Sequence, residues 1–117
     1  MAAATPNPIE FQILLALAGR ERHGYGIMKE IGRQSVGRVR VGPGTLYGAI
    51  KRMLAAEWIE ETDSPAADAE EEADARRTSY YCLTAAGRRA AAETARQMAD
   101  LVTVAAGHGL VNLKPSH

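Results

Sequence analysis

Aromatic residues are scarce, with one Trp, one Phe and four Tyr in 117 residues, so the core must be mainly aliphatic. Cysteine is nearly absent. The single Cys82 has no internal disulfide partner, which agrees with a reducing compartment. In a strand, it reads as a structural thiol rather than a redox sensor, because there is no resolving thiol. His23, His108 and His117 are scattered and, with one Cys, give no metal-ligand spacing, so neither metal nor cofactor is expected. No apolar run approaches the roughly 20 residues of a membrane-spanning helix, so no membrane partner is expected. Met1–Pro8 lacks the basic-then-apolar order of a secretory signal, and the expected location is the cytoplasm. No Ser/His/Asp or Cys/His arrangement is visible. The carboxylates crowd into one segment that cannot hold them in fixed geometry, so an enzyme is not expected.

A net charge is also lacking, with 14 basic and 14 acidic residues, but the charges are segregated. Arg20–Arg52 holds eight basic and two acidic residues, whereas Glu57–Asp74 holds nine acidic and no basic ones. A neutral chain with a basic block can still bind a polyanion, because the field near a patch outweighs the total. The plainer reading, solvated helix faces, is not excluded by charge alone.

Local signals divide the chain into elements. Residues 1–7 read as a frayed arm. Asn7-Pro8-Ile9-Glu10 is a helix start, with a cap, a proline at the first turn and a glutamate that closes a capping box. A first helix is predicted from Pro8 to about Ala18, burying Ile9, Ile13, Leu14 and Leu17. Arg20–His23 reads as a polar turn with His23 as a cap, and a second helix as Gly24–Gln34. The Gly24-x-Gly26 pair fits a tight turn and no nucleotide site. Val39-Arg40-Val41 alternates like a short strand. A third helix follows from Pro43 or Gly44 to Glu57, with Leu46, Ile50, Met53 and Leu54 on one stripe. Its other side is read as Thr45, Gly48, Ala49, Arg52 and Ala56, with Lys51 at the margin. Trp58–Thr62 and Ser79–Leu83 read as two strands around a mobile acidic loop, 64–75. Thr84 caps a last helix to about Ala106, roughly 30 Å long and longer than a small core covers. Its stripe is Thr94, Met98, Leu101, Val102 and Ala105. The apolar tail Leu110-Val111-Asn112-Leu113 packs back or is disordered.

The fold class is therefore mainly α with a small antiparallel hairpin: a winged helix-turn-helix over 1–83, then a dimerisation helix and tail over 84–117. In such units the second helix of the pair enters the major groove. Gly44, Thr45, Tyr47, Gly48, Lys51 and Arg52 are the candidate DNA residues on that helix. Tyr47 either donates to a phosphate or packs on the second helix. Arg38 and Arg40 lie before the helix and Arg76 and Arg77 at the base of the wing. Trp58 reads as a core residue. Two functions compete: a dimeric DNA-binding repressor, and a winged-helix module that binds protein through its acidic loop.

The chain resembles the PadR-like family of bacterial regulators. The resemblance rests on Ile13-Leu14-Leu15-Ala16-Leu17, His23-Gly24-Tyr25-Gly26-Ile27, Gly44-Thr45-Leu46-Tyr47, and Tyr80-Tyr81-Cys82-Leu83-Thr84-Ala85-Ala86-Gly87. It covers about Pro8–Ala106 and points to the family's shorter subgroup. It implies a homodimeric repressor of double-stranded DNA at palindromic operators, relieved by a small apolar or aromatic effector; with the apolar excess on the last helix, it gives Trp58 a second reading, as the wall of an effector pocket with Phe11, Met98 and Leu101. The final helix would cross its counterpart and pack on the partner's first helix. Two features depart from the pattern: Gly48 replaces a frequent proline, and the wing loop (Asp68, Glu70, Glu71, Glu72, Asp74) is acidic where wing tips are normally basic.

Overall fold

The computed structural model describes residues 5–63 and 79–113. Among the described residues, four helices and three strands follow in the order α1 (Pro8–Gly19), β1 (Arg22–His23), α2 (Gly24–Gln34), α3 (Pro43–Ala55), β2 (Ile59–Thr62), β3 (Tyr80–Leu83) and α4 (Ala85–Gly107). The architecture is mainly helical with a small three-stranded antiparallel sheet.

The starts of α1, α2 and α4 are each fixed by a side-chain cap. Asn7 accepts from the Glu10 N–H at 2.8 Å while its own N–H donates to Glu10 Oε1 at 2.9 Å, which closes the capping box. His23 Nδ1 accepts from the Gly26 N–H at 2.8 Å, and Thr84 Oγ1 from the Gly87 N–H at 2.9 Å. The frayed arm expected over 1–7 does not include Pro6 and Asn7. Pro6 is buried and Asn7 is a cap, while residues 1–4 lie outside the described residues.

Helix α1 is the centre of the molecule and packs on α2, α3, α4 and β3. Phe11, Ile13, Leu14, Ala16 and Leu17 are all buried, so the helix is covered round most of its circumference rather than on one face. Leu46, Ile50 and Met53 of α3 face the same core, as does Ile27 of α2.

The third strand differs from expectation. Val39–Val41 alternates in burial, with Val41 inside and Arg40 outside, but pairs with no strand among the described residues. The edge of the sheet is taken instead by Arg22–His23, expected as a turn. Arg22 lies opposite Tyr81 and His23 opposite Tyr80. The strand order is β1-β3-β2, with Ile59 opposite Leu83 and Thr62 opposite Tyr80 on the other side. Two contacts hold β1 in place. Arg22 Nε donates to the Ala16 carbonyl at 2.8 Å, covering the end of α1, and the His23 ring meets Tyr80 edge-on at 5.1 Å.

Helices α2 and α3 end in the same way. After α3, the Trp58 N–H bonds Met53 O at 3.0 Å and the Glu57 N–H bonds Leu54 O at 3.0 Å, with Glu57 at φ 61°. This is a Schellman stop with glutamate in the left-handed position that normally favours glycine. Val36 takes that position after α2, at φ 54°.

Candidate nucleic-acid interface

The α2–α3 pair presents one open surface. On an ideal helix, residues four and three apart align, so Gly44, Gly48, Lys51 and Ala55 run along one line of α3. Gly44, Lys51 and Ala55 are exposed and Gly48 is half-buried. The centre of the outer face is therefore small, with one lysine. This corrects the sequence reading in two ways. Ala49, expected outside, is fully buried, and Lys51, expected at the margin, is central. Gly42 caps α3 with no side-chain bond, and Pro43 occupies the first turn. Backbone N–H groups of that turn, with exposed Gly44 and Thr45, can receive an anion.

Arg52 and Tyr47 flank this line. Arg52 Nε pairs with Glu10 Oε2 at 3.1 Å, with Glu10 buried and Arg52 largely exposed. Tyr47 lies on Gly24 at the start of α2. A Cβ on Gly24 would overlap the Tyr47 hydroxyl, so the glycine makes room for the ring. Tyr47 is nevertheless about half exposed, so packing on α2 leaves part of the ring open. Arg38 and Arg40, in the connection between α2 and α3, are exposed and form no ion pair among the described residues, and the same is true of Lys51. Tyr25 and Lys29 add an exposed neighbour on α2, with the Lys29 ammonium 5.5 Å from the Tyr25 ring centre. Sequence reading left this pair out. The i, i+4 spacing of a tyrosine and a lysine on a polar helix face is the signal that suggests it. Arg76, Arg77 and the acidic loop 64–75 lie outside the described residues.

A second set of exposed residues is apolar. Met98, Leu101, Val102 and Val104 of α4 are exposed, as are Leu110, Val111 and Leu113 beyond it and Leu15 on α1. Thr94, grouped with this stripe in the sequence, is instead buried within this chain, and its hydroxyl donates to Ala90 O at 2.8 Å. Ala105 is half-buried. Trp58 is buried and forms the floor of a cleft of about 450 Å³ with Ala86 and Ala90, walled by Thr5 and Pro6 and by Arg89, Glu93, Thr94 and Gln97 of α4. Phe11 is in the core, and Met98 and Leu101 lie further along α4, so none of the three lines this cleft. Arg96 holds the Glu93 carboxyl below the usual carboxylate range. Cys82, half-buried on β3, has its thiol pushed up by burial and by Glu60, which disfavours the thiolate.

The model of the transcriptional regulator PadR-like family matches residues 13–93. The chain belongs to this family. PadR-like proteins are transcriptional regulators, not enzymes. The match runs from the middle of α1 through the α2–α3 pair and the sheet to the proximal part of α4. A PadR family transcription regulator from Clostridium difficile R20291 superposes with a TM-score of 0.69 at 24% identity, covering 87% of this chain and 98% of that one. A transcriptional regulator from Clostridium thermocellum superposes at 0.64 and 21% identity, covering 80% and 82%. A 37.1 kDa protein in a transposon of Streptomyces fradiae is 36% identical over 95 residues. Those residues are 81% of this chain but only 24% of the transposon protein. Among the described residues no helix is long and apolar enough to cross a membrane.

Proposed function

We propose that this PadR-like regulator is a homodimeric, sequence-specific DNA-binding repressor. The observation that carries this reading is the outer face of α3, small at Gly44 and Gly48, open at Lys51, and preceded by exposed Arg38 and Arg40. A major groove admits a helix whose outer residues are small enough for close approach, with cations placed for phosphates. A second copy joined through Met98, Leu101, Val102 and Ala105 covers the exposed stripe of α4. It also sets two α3 helices against half-sites about one duplex turn apart, roughly 34 Å. A small apolar or aromatic effector, seated in the cleft over Trp58, relieves binding. The location that fits these roles is the cytoplasm.

Selection from random duplexes supplies the operator, and a salt titration then tests the contact. Log affinity falls linearly with log salt, and each phosphate contact contributes about 0.9 to the slope. Lys51→Ala should weaken binding and lower the slope by about 0.9. Operator binding unchanged by Lys51→Ala together with Arg38→Ala and Arg40→Ala would show that α3 is not the reading helix. The outcome in which no duplex is retained at all favours the protein-binding alternative.

A further inference from the structure

Arg52 stands at the edge of the outer face of α3, yet its Nε is turned to Glu10, 42 residues earlier in the chain. Glu10 is buried, and each of its oxygens has a separate partner: Oε1 accepts from the Asn7 N–H and Oε2 from Arg52. A buried carboxylate that loses its partner is costly, so the geometry is held firmly. Helix α3 is thus seated at both ends by side chains. Tyr47 rests on Gly24 near its start, and Arg52 is tied to α1 near its finish. Asn7 follows directly on Thr5 and buried Pro6, which wall the cleft over Trp58. One short path therefore runs from the cleft wall through the capping box to the outer helix.

We propose that Glu10 is a positioning residue for α3, acting through Arg52, and that it transmits displacement of the Thr5–Pro6 wall to that helix. Arg52 is then a brace, not a phosphate contact. The inference rests on the DNA-binding reading above. It also names the link by which occupancy of the cleft alters that binding. A ligand that pushes Thr5 and Pro6 outward moves Asn7, loosens one of the two bonds on Glu10, and frees α3 to tilt.

Glu10→Gln tests the brace, because glutamine keeps an oxygen for the Asn7 N–H and still completes a capping box, but removes the charge that holds Arg52. Electrostatics alone predicts tighter DNA binding when a carboxylate near the interface is lost. The brace predicts the opposite sign. Operator affinity should fall about tenfold in Glu10→Gln and equally in Arg52→Gln, the double variant should be no weaker than either, and the salt slope should be kept in all three. Melting curves establish that the variants are folded. Pro6→Gly should weaken binding several-fold in the natural background and have no effect in Glu10→Gln. Tighter or unchanged binding in Glu10→Gln, or a slope lowered by about 0.9 in Arg52→Gln alone, overturns the brace. Equal losses from Pro6→Gly in both backgrounds overturn the link to the cleft. Failure of the natural protein itself to retain any duplex is a different result, and removes the DNA-binding reading beneath both.

Discussion

The two halves of α4 have the same helical geometry and opposite surroundings. The proximal half lies against the core of the chain: Gly87, Ala91 and Thr94 are buried, and Ala86 and Ala90 pack on the core cluster. It is anchored by the Thr84 hydroxyl, which donates to Glu57 O at 2.6 Å, and by the Thr84 N–H, which donates to Trp58 O at 3.1 Å. From Ala95 to Val104 every residue is exposed. Small residues fill the proximal half because backbone approaches closely there. The distal half carries Met98, Leu101, Val102 and Val104, and nothing among the described residues buries them. A patch of that kind on a monomer marks an interaction surface rather than a fold requirement.

Substitutions can break this contrast or sharpen it. The largest effect is expected at Gly87, where a Cβ would overlap the Trp58 carbonyl oxygen, a backbone atom with no freedom to rotate away. Gly87→Ala should cost about 3 kcal/mol or abolish folding, measured by denaturant unfolding. A near-normal midpoint would mean that the proximal half is not the rigid seat described. Next comes the distal half. Leu101→Asp should leave the subunit folded by circular dichroism and shift its mass in light scattering to that of a single chain. Met98→Asp should do the same. An intact, soluble dimer from both would remove the second copy from α4. The smallest effect is expected beneath the proximal seat, where Glu57 holds a left-handed conformation with an exposed side chain. Glu57→Gly should raise stability by about 0.5–1 kcal/mol in the same unfolding assay, because glycine adopts this φ without steric cost. Destabilisation there would show that the glutamate side chain contributes more than its backbone strain removes.

The contacts at Gly24 and Gly87 teach a related lesson about glycine. Both accommodate a close approach, but Gly24 faces the end of the Tyr47 side chain and Gly87 faces backbone. The first can yield by rotation of a ring and the second cannot. Sequence reading took Gly24 for a tight turn, and nothing near it in the chain signals the tyrosine 23 positions later.

The helices and their starts were legible in order and type because each depends on neighbours. Asn7-Pro8-Glu10, His23 and Thr84 act on N–H groups within three residues. Apolar spacing likewise located the inward stripe of α3. The outer face was less legible. Periodicity marked Leu46, Ile50 and Met53, but it left the width of the buried arc open, so Ala49 was assigned outward and Lys51 displaced from the centre. Val39–Val41 had the alternation of a strand without a partner, whereas Arg22–His23 became one because β3 had a free edge beside it.

By itself the sequence determined the caps, the helical periods, the segregation of charge and the family signature, since all of these depend on residues close together in the chain. Tertiary structure alone decided that Arg52 is tied to Glu10, that Tyr47 rests on Gly24, that Arg22–His23 closes the sheet and that Thr94 turns inward. Each of those is an encounter between distant segments, and its energy depends on distance and burial that no local pattern encodes.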